Sequence, residues 1–346
     1  MMEKNKYFKS FPMLLMISLA AILISVVIGV ANVTVIDSIK IILKPVPLIG
    51  NYMDVSNIQK SHMAIIQNIR LPRVLLSFLV GYGLSIVGVS FQGMLKNPMA
   101  DPFIVGTSSG AALGAAIAIL LKLNRTFMGM GAISIFAFIG ALLSTLIVYT
   151  MARIKGKVPV TTLLLAGVAT GQFFTAIMSF LMTISTKDVS TIIFWTLGSF
   201  SGRGWNHVQI TVLPVLLGSI LIYVFSKDLN IMLLGEDSAK NMGVEVEKVK
   251  KIILITSVLI TACLVSVSGI IGFVGLIVPH IVRIVVGPDH RVLIPASGLV
   301  GGTFLVVADT VARTMIAPTE IPVGIITALA GGPFFIYLLR KYKKSV

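Results

Sequence analysis

The sequence predicts an all-α, polytopic membrane protein of about ten transmembrane helices, on three observations. Hydrophobic residues make up 56% of the 346 positions and charged residues only 12%, where a soluble domain carries roughly 25% charged. Apolar runs of about twenty residues, the length that crosses roughly 30 Å of hydrocarbon, recur along the whole chain. Lys and Arg fall in the short stretches between those runs, where they report membrane orientation.

The runs place helices near 11–31, 64–93, 101–121, 127–150, 159–183, 207–226, 249–268, 271–286, 292–313 and 322–340. A basic segment, Met1 to Ser10, precedes the first. That run is too long for the apolar stretch of a cleaved signal peptide, so it reads as a retained span. Gly269, Gly272, Gly275 and Pro279 interrupt the seventh and eighth runs, and hydropathy by itself allows nine spans or ten. Charge placement favours ten. With both termini in the cytoplasm, eighteen Lys and Arg lie inside, among them Lys96, Arg153, Lys155, Lys157 and Lys344, against ten outside, among them Arg125 and Arg203. Nine spans would put the basic C-terminal tail outside, against the positive-inside rule. The longest polar stretches, 32–67 and 227–251, are too short for a second core, so residues 1–346 read as a single transmembrane domain.

Several functions are disfavoured. The net charge of +15 is not gathered into a stripe, so nucleic acid is not an expected partner. The lone Cys263 lies in an apolar run and reads as packing. No H-E-x-x-H, cysteine cluster, nucleophile elbow or G-x-x-x-x-G-K-[ST] loop occurs, so neither catalysis nor nucleotide hydrolysis by that route is expected. His62, His207 and His290 show no ligand spacing, and His280 after Pro279 reads as a hydrogen-bonding residue, so no metal or cofactor is expected on this chain. Asp309 and Arg313 stand four apart on one helix, the spacing of a local ion pair that lowers the cost of burial. No span carries a repeated Asp, Glu or His relay, which disfavours an ion-coupled carrier. Small residues such as Gly81, Gly83, Gly88, Gly298, Gly301 and Gly302 mark close helix packing. They serve equally a static bundle or one that rocks around a pathway.

The cytoplasmic loop at about 227–250 carries the strongest local signal. Leu233, Leu234 and Gly235 lead into Glu236 and Asp237, acids that favour a helix N-terminus. Ser238 to Met242 continue as a short helix, and Gly243 ends it. Two readings fit: a handle by which a cytoplasmic motor moves the bundle, or a solvated connector.

A series of motifs in order across nearly the whole chain resembles the FecCD/BtuC-type permease family of bacterial ABC importers for iron-siderophores, haem and cobalamin. It runs through Arg70-Leu71-Pro72-Arg73, Gln92-Gly93, Asn97-Pro98-Met99-Ala100-Asp101-Pro102, Leu165-Ala166-Gly167 and Trp195 to Trp205. It continues with Leu234-Gly235-Glu236, Ala239 and Gly243, then Pro279-His280, Asp289-His290-Arg291, Glu320 to Gly324 and Gly331-Gly332-Pro333. Met99 departs from the usual Leu, a tolerable apolar exchange. The resemblance implies a type II ABC importer permease fold in a bacterial cytoplasmic membrane, paired with a second permease subunit as a homodimer. It implies two ATP-binding subunits beneath, which hold the ATP and magnesium, and an extracytoplasmic substrate-binding protein above. Leu234, Gly235, Glu236, Ala239, Met242 and Gly243 would couple to the ATPase, and Arg70, Arg73 and Arg313 would dock the binding protein. The leading expectation is iron-siderophore import; haem or cobalamin is the alternative, and an ion-coupled carrier the weaker one.

Overall fold

The computed structural model describes residues 2–31, 33–123, 126–127, 130–154 and 158–343. Arg125, Lys155, Lys157 and Lys344, which entered the charge comparison, lie outside the described residues. The chain runs through α1 (Met2–Val27), α2 (Val35–Leu43), α3 (Lys60–Ala64), α4 (Leu71–Met94), α5 (Thr107–Leu120), α6 (Ala132–Ala152), α7 (Val160–Ile184) and α8 (Val189–Thr196). It continues through α9 (Trp205–Val224), α10 (Ser226–Met232), α11 (Glu236–Asn241), α12 (Val246–Ser268), α13 (Val274–Val286), α14 (His290–Thr314) and α15 (Val323–Lys343). A two-residue hairpin, Thr126–Phe127 with Met130–Gly131, precedes α6.

Among the described residues, six helices are long and apolar enough to cross a membrane: Lys60–Met94, α6, α7, α9, α12 and α14. Four shorter apolar helices, Phe11–Val27, Thr107–Leu120, Val274–Val286 and Val323–Leu338, fall where the remaining runs were read. The chain is thus an all-α, multi-pass membrane protein. The run read as a helix over 101–121 begins only at Thr107. Before it, Asn97 and Asp101 accept from the backbone N–H two residues on, at 2.9 and 2.8 Å, and such Asx turns compete with helix. The interrupted seventh and eighth runs are two helices, α12 and α13. Gly269 and Phe273, both at positive φ, bound the break between them.

Helix α4 occupies the middle of the bundle. It packs most extensively on α14 and also touches α9, α12 and α13. In lipid no hydrophobic force drives helices together, so backbone proximity must supply the contact. A Cβ at Gly81 would run into the Gly301 carbonyl of α14, and one at Gly88 into the Gly275 carbonyl of α13. The entrance to α4 is a π-helical turn over Ile65–Arg70. Pro72 brings no N–H and its ring crowds the carbonyl four residues back; the wider turn relieves that crowding, and Leu71 N–H reaches the Ile66 carbonyl instead. Helix α7 is the opposite case to α4. Only 22% of its apolar window is buried, against 78% for Lys60–Met94, so α7 presents most of its surface outside the subunit.

Gly88→Val is expected to cost at least about 2 kcal/mol through overpacking, measured as a lowered unfolding midpoint in detergent. Gly272→Ala, where a Cβ meets nothing within 4 Å, is expected to leave that midpoint unchanged.

Candidate functional site

Three polar constellations interrupt the apolar bundle. The first is the loop between α9 and α12. Helix α10 turns through Leu233 to Gly235, and Gly235 sits at φ +120°, ψ 150°, a region open essentially to glycine. Helix α11 then closes with Gly243 at φ +85°. The Gly243 N–H reaches the Lys240 carbonyl at 2.9 Å and the Val244 N–H reaches the Ala239 carbonyl at 3.0 Å. That pair of bonds is a Schellman ending, and the buried Val244 and Ala239 supply its apolar contact. Glu236, in the first turn of α11, meets Lys250 of α12 at 2.6 Å. This bond, with the charges of Lys250, Lys96 and Lys240 around it, holds the Glu236 carboxyl below its ordinary range against the opposing effect of burial.

The six residues singled out in this loop therefore divide by task. Gly235 and Gly243 set the turns, Ala239 anchors the helix, and Glu236 ties it to α12. Leu234 and Met242 remain 69% and 51% exposed, an apolar surface on a rigidly held short helix.

The second constellation links this loop to α14. Asn230 of α10 donates Nδ2 to Asp289 Oδ1 at 2.7 Å, and its own Oδ1 accepts from the His290 N–H at 2.9 Å. Asp289 also accepts from Arg291 Nη2 at 2.6 Å. The Arg291 guanidinium, followed by Asn230, holds the Asp289 carboxyl far below the usual carboxylate range although burial opposes it. Asn230 was not singled out from sequence; it lies 59 residues from Asp289, and no local pattern connects them.

The third lies at the opposite ends of α4 and α14. Arg73 makes a two-pronged contact with Asp309, Nε to Oδ2 and Nη2 to Oδ1, both at 2.9 Å. Its Nη1 reaches Glu320 at 2.8 Å. Burial, the largest single influence, pushes the Glu320 carboxyl up, but the Arg73 bond and charge, with Ser201 and Arg313 beside them, together outweigh it and the net shift is down. Arg70 donates to the carbonyls of Val26 and Val27 at 3.3 and 2.8 Å, satisfying carbonyls left open at the end of α1, and to the Ala31 carbonyl beyond it at 2.7 Å. Arg313 donates Nη2 to the Ser25 carbonyl and to Ser25 Oγ. Asp309 thus pairs across helices with Arg73, and the expected local pair with Arg313 is replaced by a bond from Arg313 to α1. The three arginines do converge on one end of the bundle. Their exposures are 5% for Arg70, 7% for Arg73 and 6% for Arg313, so each guanidinium is committed inside the subunit.

No group of three or more His, Cys, Asp or Glu arranged to hold a metal occurs among the described residues. The profile of the FecCD transport family matches residues 15–341. The chain belongs to the FecCD transport family. This permease is 47% identical over 283 residues to the cobalamin import system permease protein BtuC of Halobacterium salinarum, covering 82% of this chain and 75% of that one. It is 34% identical over 322 residues to the Fe(3+)-citrate import system permease protein YfmE of Bacillus subtilis, covering 93% and 95%. Among solved structures it resembles an inward-facing metal-chelate type ABC transporter, with TM-score 0.81, 30% identity and coverage of 98% and 99%. The permease is a non-catalytic transmembrane subunit of the ABC-importer type.

Two outcomes follow from this geometry. Arg73→Met or Asp309→Leu alone strands a buried charge and is expected to cost about 3–5 kcal/mol. The double variant should recover at least half of that, read as a coupling energy in detergent unfolding. The Glu236–Lys250 tie has a depressed carboxylate, so its contribution is complete above the ordinary value of 4.5 and fades as pH falls through the lower folded value. The protection of α11 amides, corrected for intrinsic exchange, should accordingly fall only in acid below that range, and Glu236→Gln should abolish that acid-dependent loss.

Proposed function

We propose that this permease is the membrane subunit of an ABC importer for a large metal chelate, with cobalamin as the leading substrate. The observation that carries the substrate is the 47% identity to a cobalamin import permease, against 34% to a ferric-citrate one. It reverses the order read from sequence, where iron-siderophore stood first. Ferric chelates and haem become the competing substrates. An ion-coupled carrier has less support, since among the described residues Asp309 and Glu320 are both ion-paired to Arg73 within the subunit.

In this reading ten helices cross the membrane with both termini in the cytoplasm, and residues 1–346 form one domain. Two copies pair as a homodimer through the poorly buried α7, whose Leu165, Phe173 and Ile184 are each more than 60% exposed. The α10–α11 loop is the coupling element. Leu234 and Met242 seat in a groove of the ATP-binding subunit, where ATP and magnesium are held, and the Glu236–Lys250 bond makes α11 move with α12. Asn230 carries the same displacement to α14. At the outer face the substrate-binding protein docks on the rim that Arg70, Arg73 and Arg313 hold in register. Because those guanidiniums are internally paired, their contribution to docking is positioning of the rim.

The test is uptake into proteoliposomes holding the permease with its ATPase, and the loaded binding protein outside. ATP-dependent cobalamin uptake is the expected result; uptake of ferric chelate or haem instead would overturn the substrate, and uptake without ATP would overturn the mechanism. Leu234→Asp and Met242→Asp are expected to lower ATP-driven uptake about tenfold or more, with membrane insertion unchanged.

A further inference from the structure

A cavity of about 390 Å³ opens between α1, α4, α9 and α14, within the range of about 300–1,000 Å³ usual for ligand clefts. It lies within the apolar bundle, toward the ends of α9 and α14 that adjoin the α10–α11 loop. Tyr82 of α4 and Leu216 and Ile220 of α9 line its deep part, and Tyr223 and Arg291 stand at its polar end. Leu216, Ile220 and Tyr223 are 47%, 60% and 46% exposed, so the subunit itself leaves the cleft open along α9.

One side chain in the wall distinguishes this cleft from ordinary lipid-facing surface. Ser219 is only 5% exposed, and its Oγ has no hydrogen-bond partner in the structure. Thr211, on the same helix, returns its proton to the His207 carbonyl at 2.7 Å, and the other partnerless serines of α4 and α14, Ser85 and Ser297, do not line the cleft. A buried hydroxyl left unpaired costs about 1–3 kcal/mol, and hydrocarbon offers it nothing. An acceptor at that depth would remove the cost.

We propose that the cleft holds one anionic glycerophospholipid of the cytoplasmic leaflet, with its acyl chain along Leu216 and Ile220, an ester carbonyl on Ser219 Oγ, and its phosphate near Arg291 and Tyr223. The spacing suits that molecule. Ser219 lies one helical turn, about 6 Å, deeper than Tyr223, as an ester lies below its phosphate. Arg291 uses Nε and Nη2 on Asp289, which leaves Nη1 for a phosphate oxygen. The site is separate from the coupling surface and from the substrate reading, and stands whichever chelate is carried.

Native mass spectrometry of the full-length permease in mild detergent tests this, with dioleoyl phosphatidylglycerol, dioleoyl phosphatidylcholine or oleate added. One phosphatidylglycerol should survive activation that strips the others. Ser219→Leu and Ile220→Trp, the second at an exposed position that leaves the core intact, should each lower its retention about fivefold or more. Arg291→Gln should reduce phosphatidylglycerol to the level of phosphatidylcholine. Equal retention in wild type and both cleft-filling variants would overturn the site. Oleate held as firmly as phosphatidylglycerol would overturn the headgroup assignment.

Discussion

Everything in this bundle is arranged about the contact between α4 and α14. Two different forces meet there. In the middle, Gly81 and Gly301 let the two backbones approach until a single added carbon would collide. At one end, Arg73 and Asp309 form a two-pronged ion pair with almost no solvent exposure. Either carboxylate or guanidinium alone would be costly in that setting. Together they fix the register in which the glycines meet. Arg70 and Arg313 then attach α1 to the same pair of helices through backbone carbonyls and Ser25.

The other end of α14 is held differently. There Asp289, His290 and Asn230 join it to α10 through neutral and singly charged hydrogen bonds, and Glu236 joins α11 to α12. A short helix fastened at two points moves with its neighbours rather than against them. That fastening explains why a six-residue helix persists at all, since isolated helices of that length do not. The apolar Leu234 and Met242 flank this helix and stay exposed. Their exposure is consistent with a surface completed by another subunit.

The helix α7 and the cleft beside α9 are two of the places where the described residues leave apolar surface open. They differ in chemistry. The face of α7 is broad and apolar, suited to a second helix-bearing partner. The cleft is narrow, contains an unpaired hydroxyl, and ends at a guanidinium, so its shape and polarity suit a lipid.

The sequence by itself determined what depends on near neighbours. Apolar run length predicted the helical membrane class, and Glu236, Gly235 and Gly243 predicted α11 because capping and positive-φ turns are local. The motif series pointed to the family. It also brought Arg70, Arg73 and Arg313 to one end of the bundle, since they follow from span boundaries. Their use was not legible. The Arg73–Asp309 pair spans 236 residues of chain, and a charge in a sequence carries no record of which distant charge it will meet. Only the tertiary structure decided that Asp309 pairs with Arg73 rather than Arg313, that Lys250 holds Glu236, and that the arginines face inward. Helix formation is decided within a few turns of backbone, whereas ion-pair choice is decided by which helices pack together, and that is a property of the whole bundle.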